Sequence, residues 1–130
     1  MLVSACVTKY RVLVIEEEAL LRLVLEDMIC DFGHEVIAGG GTLQEAMELA
    51  SASAFDVAII DMRIQGILTF PVADILVRRN LPYIFATAIM PADVPSPHRG
   101  RPVLTKPFEH DKVRRVLDEI LAGSSPRVAV

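Results

Sequence analysis

The chain alternates short, wholly apolar runs with longer segments in which apolar residues recur every three or four positions. Val12 to Ile15 is a continuous, mostly β-branched run, the pattern of a strand covered on both faces. From about Glu18 to Cys30, residues Leu21, Val24, Leu25, Met28 and Ile29 make one helical stripe, and Gly33 suits the stop. His34 to Ala38 alternates as a second strand, broken by Gly39, Gly40 and Gly41. Thr42 and Glu45 have capping-box spacing, which starts a helix carrying Ala46, Met47 and Leu49 inward. Asp56 to Ile60 reads as a third buried strand, and Pro71 fits the first turn of a helix reaching about Arg79. Tyr83 to Ala86 is a fourth strand and Val103 with Leu104 a short fifth. Asp111 to Leu121 is a last helix with Val113, Val116, Leu117 and Ile120 facing the core.

The alternation breaks once. Between the fourth and fifth strands, Ala88 to Pro102 contains Pro91, Pro95, Pro97 and Pro102 together with Gly100. Such proline density forbids a regular helix over most of the segment, so a loop with one short helical turn is expected. Alternating strands and helices predict an α/β fold, a five-stranded parallel sheet covered on both faces. Right-handed crossovers make it a doubly wound three-layer sandwich with strand order 2-1-3-4-5 and its fourth helix degraded to a Pro-rich loop.

Composition narrows the function. The 130 residues are 52% hydrophobic and 23% charged, enough for one core, which we place at 10–122 between flexible termini at 1–9 and 123–130. A net charge of -4 argues against a nucleic-acid partner, which would need a basic face. No apolar run approaches the roughly 18 residues of a membrane span. A lipoprotein-like box ending at Cys6 lacks a basic start, and Cys6 and Cys30 have neither metal nor redox spacing. Two reduced thiols and a cytoplasmic protein are expected. His34, His98 and His110 share no ligand spacing and read as structural or solvated; Arg78, Arg79, Arg114 and Arg115 read as solvated helix faces.

In a doubly wound sheet, ligands bind beyond the carboxyl ends of the strands where the winding reverses. The residues at those ends are Glu16, Glu17 and Glu18 after the first strand, Asp61 after the third, Thr87 after the fourth and Lys106 after the fifth. Each alone has an ordinary explanation as a cap, a turn or a surface charge, and for Glu18 a helix start is the better reading. Their joint placement on four strand ends points to one acidic rim. Clustered carboxylates either shift their pKa values or hold a cation, and oxygen-only ligands suit Mg²⁺. Asp61 could then attack an incoming phosphoryl group, with Lys106 as a positioned cation and Thr87 as a hydroxyl that binds the group once it arrives.

The segments Arg11 to Glu18 (RVLVIEEE), Asp56 to Asp61 (DVAIID), Phe85 to Thr87 (FAT) and Val103 to Phe108 (VLTKPF) together resemble the response-regulator receiver family, over about Tyr10 to Leu121. The resemblance implies Asp61 as phosphoacceptor and Thr87 and Lys106 as its catalytic partners. It also implies a Mg²⁺ or Mn²⁺ ion held by Glu16, Glu17, Asp61 and the backbone carbonyl of Arg63, and a cis bond between Lys106 and Pro107. The chain is most similar to a single-domain alphaproteobacterial group with a Phe-Ala-Thr-Gly stretch, in which Ala88 here replaces Gly. That group implies a partner histidine kinase, including the HWE type, or a histidine phosphotransfer protein.

Two departures matter. Glu17 stands where the family usually has Asp, and the extra methylene moves a carboxylate at a site that demands near-ideal geometry, so either weaker metal binding or a displaced water is expected. Val103 stands where an aromatic switch residue is common, so a signal from Thr87 would pass through the Pro-rich loop. The expectation is a stand-alone response regulator, with no output domain visible after Leu121. It would be no enzyme beyond metal-dependent self-phosphorylation and slow self-dephosphorylation. The alternative is a non-phosphorylated pseudo-receiver acting as an interaction module. An aspartyl-phosphate phosphatase on a similar sheet would need a second Asp where Arg63 stands, and a flavin module a phosphate-cradling loop where Glu16 to Glu18 would repel the phosphate. A mean hydropathy of +0.44 suggests an apolar surface for a homodimer or a partner protein on the last helix and fifth strand.

Overall fold

Strand β1 (Arg11–Ile15) is the centre from which the rest is built: it pairs in parallel with both β2 (Glu35–Gly39) and β3 (Val57–Asp61). Its alternate residues serve two different cores. Leu13 and Ile15 join Ala58, Ile60 and Phe85 on one face, while Val12 and Val14 join Val57, Ile59, Ile84 and Leu104 on the other. A strand buried on both sides has no polar face to show, so its sequence is a continuous apolar run. The molecule is described from a computed structural model covering residues 9–122.

Helix α1 (Ala19–Asp31) follows β1 and buries Leu25 and Ile29; Gly33 beyond its end takes φ 92°, the left-handed conformation that suits glycine. Helix α2 (Leu43–Ala52) begins at Thr42, whose side chain accepts from the Glu45 N–H at 3.1 Å. The Glu45 carboxylate does not close the reciprocal bond. It accepts instead from the backbone N–H groups of Gly40 and Gly41, each at 2.7 Å, and so ties the glycine-rich turn to the helix. After β3 comes a hairpin of two-residue strands, β4 (Arg63–Ile64) and β5 (Ile67–Leu68), which no sequence periodicity announces. Helix α3 (Phe70–Arg78), strand β6 (Tyr83–Thr87), strand β7 (Val103–Thr105) and helix α4 (His110–Leu121) complete the chain.

The five-stranded sheet has the order β2-β1-β3-β6-β7, all parallel, which is the predicted 2-1-3-4-5 once the small hairpin is set aside. Helices α2 and α3 pack together, as do α1 and α4, giving the two outer layers. The stretch expected to lack its helix holds only a single 3-10 turn, Ser96–His98. It is fastened by His98, which is buried. Its ring hydrogen-bonds the Tyr83 hydroxyl and, at 2.7 Å, Asp74 of α3, and it lies parallel to the Phe70 ring. The Lys106–Pro107 bond is cis.

Two expectations need adjustment, and one lies outside the described residues. The proposed apolar surface on α4 and β7 is not there. Val116 and Ile120 pack against the core, and among the described residues the large exposed apolar side chains are Leu20, Leu23, Ile67, Val77, Ile89 and Met90, on α1, the hairpin, α3 and the loop after β6. Arg79 and Arg114 are exposed yet engaged: their guanidinium groups lie over the Phe55 and Phe32 rings. The termini and Cys6 fall outside the described residues, Lys9 apart, whereas Cys30 is a free, exposed thiol. Among the described residues no helix is long and apolar enough to cross a membrane.

Candidate functional site

Sheet register decides which side chains meet. Ile15 pairs with Ile60, so Glu16 is level with Asp61; Asp61 pairs with Ala86, and Thr87 pairs with Thr105, one residue before Lys106. Glu16, Asp61, Thr87 and Lys106 are thereby carried to one rim on four neighbouring strands. Glu16, Asp61 and Thr87 are buried there. A hollow of about 260 Å³ opens over them, lined among others by Glu17, Asp61, Arg63, Thr87, Ile89 and Lys106.

The Lys106 ammonium is shared. Its Nζ donates to Asp61 Oδ2 at 3.0 Å and lies 2.8 Å from Glu16 Oε1 in an ion pair. Asp61 Oδ1 accepts from the Arg63 N–H at 3.2 Å, and Glu16 Oε2 accepts from the Glu18 N–H at 3.1 Å. One ammonium does not neutralise two buried carboxylates. Burial first, and the adjoining Glu16 second, push the Asp61 carboxyl up to about 6, against the pull of the Arg63 N–H and Lys106. Burial draws the Lys106 ammonium down, but Glu16 and Asp61 outweigh it and its pKa lies above the ordinary lysine value.

The backbone around this centre is held by side chains. Thr69, fully buried at the start of α3, donates from Oγ1 to the Asp61 carbonyl at 2.8 Å. Arg22 of α1 donates to the Glu16 carbonyl at 2.9 Å. Sequence reasoning singles out neither residue; a Thr two positions before Pro71 signals a helix start, but nothing in the sequence shows that its hydroxyl would turn to Asp61. Thr87 Oγ1 is engaged locally: it donates to the Ile89 carbonyl at 2.8 Å and accepts from the Ile89 N–H at 3.3 Å. The hydroxyl is therefore tied to the first residues of the Pro-rich loop.

The donor set suits a hard cation only in part. Two buried carboxylates, Glu16 and Asp61, share the single Lys106 ammonium, and all the candidate donors are oxygen. Those features fit a divalent ion held by Glu16 and Asp61, and Arg63 also lines the hollow. Glu17 does not converge with them: its Oε1 accepts from the Gln65 N–H at 2.9 Å, across the rim on the hairpin. Among the described residues no three His, Cys, Asp or Glu side chains are grouped as ready metal ligands. Glu18 is the residue before the first turn of α1 and makes no side-chain cap.

No family model matches the chain. It is 34% identical over 104 residues to the transcriptional regulatory protein PdtaR of Mycobacterium tuberculosis, a match covering 75% of this chain and 50% of that protein. The chain thus spans about half the length of the curated relatives it matches. Among solved structures, SdrG from Sphingomonas melonis is similar at 33% identity with a TM-score of 0.75, covering 86% of this chain and 96% of SdrG. SdrG has also been solved in a BeF3-activated conformation, which superimposes at a TM-score of 0.72. The receiver domain of PhyR from Erythrobacter litoralis is similar at 28% identity with a TM-score of 0.75, covering 95% of this chain and 98% of that domain.

Proposed function

The chain belongs to the response-regulator receiver family, and from that membership we propose that Asp61 accepts a phosphoryl group in two-component signalling. The donor would be the phosphohistidine of a histidine kinase, including one of the HWE type, or of a histidine phosphotransfer protein. An Asp61 carboxylate oxygen attacks phosphorus, the phosphorus–nitrogen bond of the donor breaks, and the imidazole leaves with the electron pair and takes up a proton. Glu16 and Asp61 would hold a Mg²⁺ or Mn²⁺ ion, which would supply the positive charge that lets an anionic phosphoryl group approach an anionic carboxylate.

The observation that carries this reading is the Lys106 ammonium, shared between Asp61 Oδ2 at 3.0 Å and Glu16 Oε1. It is a fixed cation already at the nucleophile, where it can move to a phosphoryl oxygen as charge builds there. Thr87 would leave the Ile89 carbonyl to donate to another phosphoryl oxygen, and the Pro-rich loop would be released with it. Water attack on the aspartyl phosphate would end the signal slowly; beyond this self-directed chemistry the protein would be no enzyme. The existence of a BeF3-activated form of SdrG supports the reading, because that anion has the shape and charge of a phosphoryl group.

A second reading, a pseudo-receiver that binds partners without phosphorylation, is favoured by one observation: the Glu17 carboxylate, at the edge of the hollow, is engaged by the Gln65 N–H. Intact mass after incubation with Mg²⁺ and a small phosphodonor separates the two. A gain of one phosphoryl group that is absent in Asp61→Ala supports phosphorylation; no gain with any donor or divalent metal supports the pseudo-receiver.

A further inference from the structure

The hairpin that rims the hollow turns through Gln65 at φ 52° and Gly66 at φ 77°. Two residues with positive φ between two-residue antiparallel strands make the tight turn that suits Asn-Gly or Gly-Gly. Gly66 meets that requirement, but Gln65 has a full side chain in a conformation that L-residues seldom adopt. Something outside the turn must hold it, and the contact that does so is long-range. Glu17, 48 residues earlier in the chain, accepts the Gln65 N–H at 2.9 Å. The same Glu17 lines the hollow with Asp61 and Lys106.

Resting on the reading that the hollow takes a divalent ion, we propose that Glu17 is a latch on the β4–β5 turn whose carboxylate is contested between the Gln65 N–H and that ion. An Asp at this position would be one methylene shorter and could not span to Gln65 from the same backbone. The longer side chain therefore exchanges a ready metal ligand for a closed hairpin. A hard cation prefers an anionic oxygen to any neutral donor, so ion entry draws the carboxylate off Gln65. Without its acceptor the turn loosens, and the change reaches the surface at Ile67, which is 50% exposed on the next strand. Cation occupancy is thereby made legible on the outside of the molecule.

Amide hydrogen exchange followed by NMR on the full chain tests this with Mg²⁺ as the probe. The Gln65 amide should be protected without Mg²⁺ and exchange about three- to tenfold faster at saturation, the span that loss of one hydrogen bond produces. Glu17→Asp should show fast Gln65 exchange already without Mg²⁺ and bind Mg²⁺ more tightly. Glu17→Gln keeps an acceptor oxygen but not the charge, so Gln65 should stay protected at every Mg²⁺ concentration. If Mg²⁺ shifts the Asp61 and Arg63 amides while wild-type Gln65 stays protected, the latch is wrong and the cation site stands. If no amide around Asp61 responds to Mg²⁺, the cation site and the latch fall together.

Discussion

Replacing Asp61 should make the protein more stable, and the size of the gain follows from the charge imbalance at the rim. Asp61 and Glu16 are buried side by side with one ammonium between them, and the Asp61 carboxyl is raised from 3.8 to about 6. A folded-state value above the unfolded one means that the native state holds the proton more tightly. This group's contribution to stability is therefore full below about pH 3.8 and is lost as pH rises through about 6. The whole difference corresponds to about 3 kcal/mol at neutral pH. The hollow admits water from one side, and that screening reduces the figure to about 1–2 kcal/mol. Asp61→Asn removes the ionisation and keeps one acceptor oxygen, which can serve Lys106 while the amide NH2 takes the place of the oxygen that accepts the Arg63 N–H. We expect urea denaturation in metal-free buffer at pH 7.5 to find the variant more stable by about 1–2 kcal/mol. The advantage should halve near about pH 5 and vanish by about pH 3.5, because the wild-type carboxyl is then protonated in both states. A variant less stable than wild type at pH 7.5, or a gain that does not change with pH, would refute the charge-imbalance argument.

Other consequences can be checked in the same way. His98→Ala leaves the Tyr83 hydroxyl without its ring partner and empties the space between Phe70 and Tyr83; it should cost about 2–4 kcal/mol in urea denaturation and speed amide exchange across residues 88–102, and a loss under about 0.5 kcal/mol would mean the loop is not fastened there. Thr69→Val removes the hydroxyl that donates to the Asp61 carbonyl and should cost about 1–2 kcal/mol, with no effect expected if that bond is dispensable. The Nδ1 of His34 accepts the Tyr10 N–H, and burial lowers its pKa, so the stability this residue supplies is present above about pH 6.5 and is lost as pH falls through the lowered value; an NMR titration of its ring at or above the ordinary value would contradict the placement.

Much of the fold is legible in the sequence because the central strands β1, β3 and β6 are buried on both faces, so that runs such as Val12 to Ile15 and Val57 to Ile60 stand out without structural help. The rim is legible for the same reason: strand ends fix where Glu16, Asp61, Thr87 and Lys106 must lie. The β4–β5 hairpin was beyond reach, since two-residue strands carry no period and Gln65 is not a residue that announces a left-handed turn. Glu17 shows the limit most clearly. Its identity signals a departure from the family, but only coordinates show that the longer arm meets Gln65. The apolar partner surface was misplaced because mean hydropathy counts residues without locating them; Val116 and Ile120 are partly buried against the core, whereas Leu20 and Ile89 are exposed. His98, unremarkable in sequence, is buried because Phe70, Asp74 and Tyr83 from two other elements close around it.

The most direct measurement is to map where a phosphoryl group attaches. The protein is incubated with Mg²⁺ and a small phosphodonor, trapped by borohydride reduction and digested, and the peptides are sequenced by mass. We predict modification at Asp61 alone, abolished by chelating the metal and sharply reduced in Lys106→Ala. Modification at Glu16, Glu17 or another residue, or labelling that persists at full extent without divalent metal, would contradict a nucleophile served by one cation site and one fixed lysine.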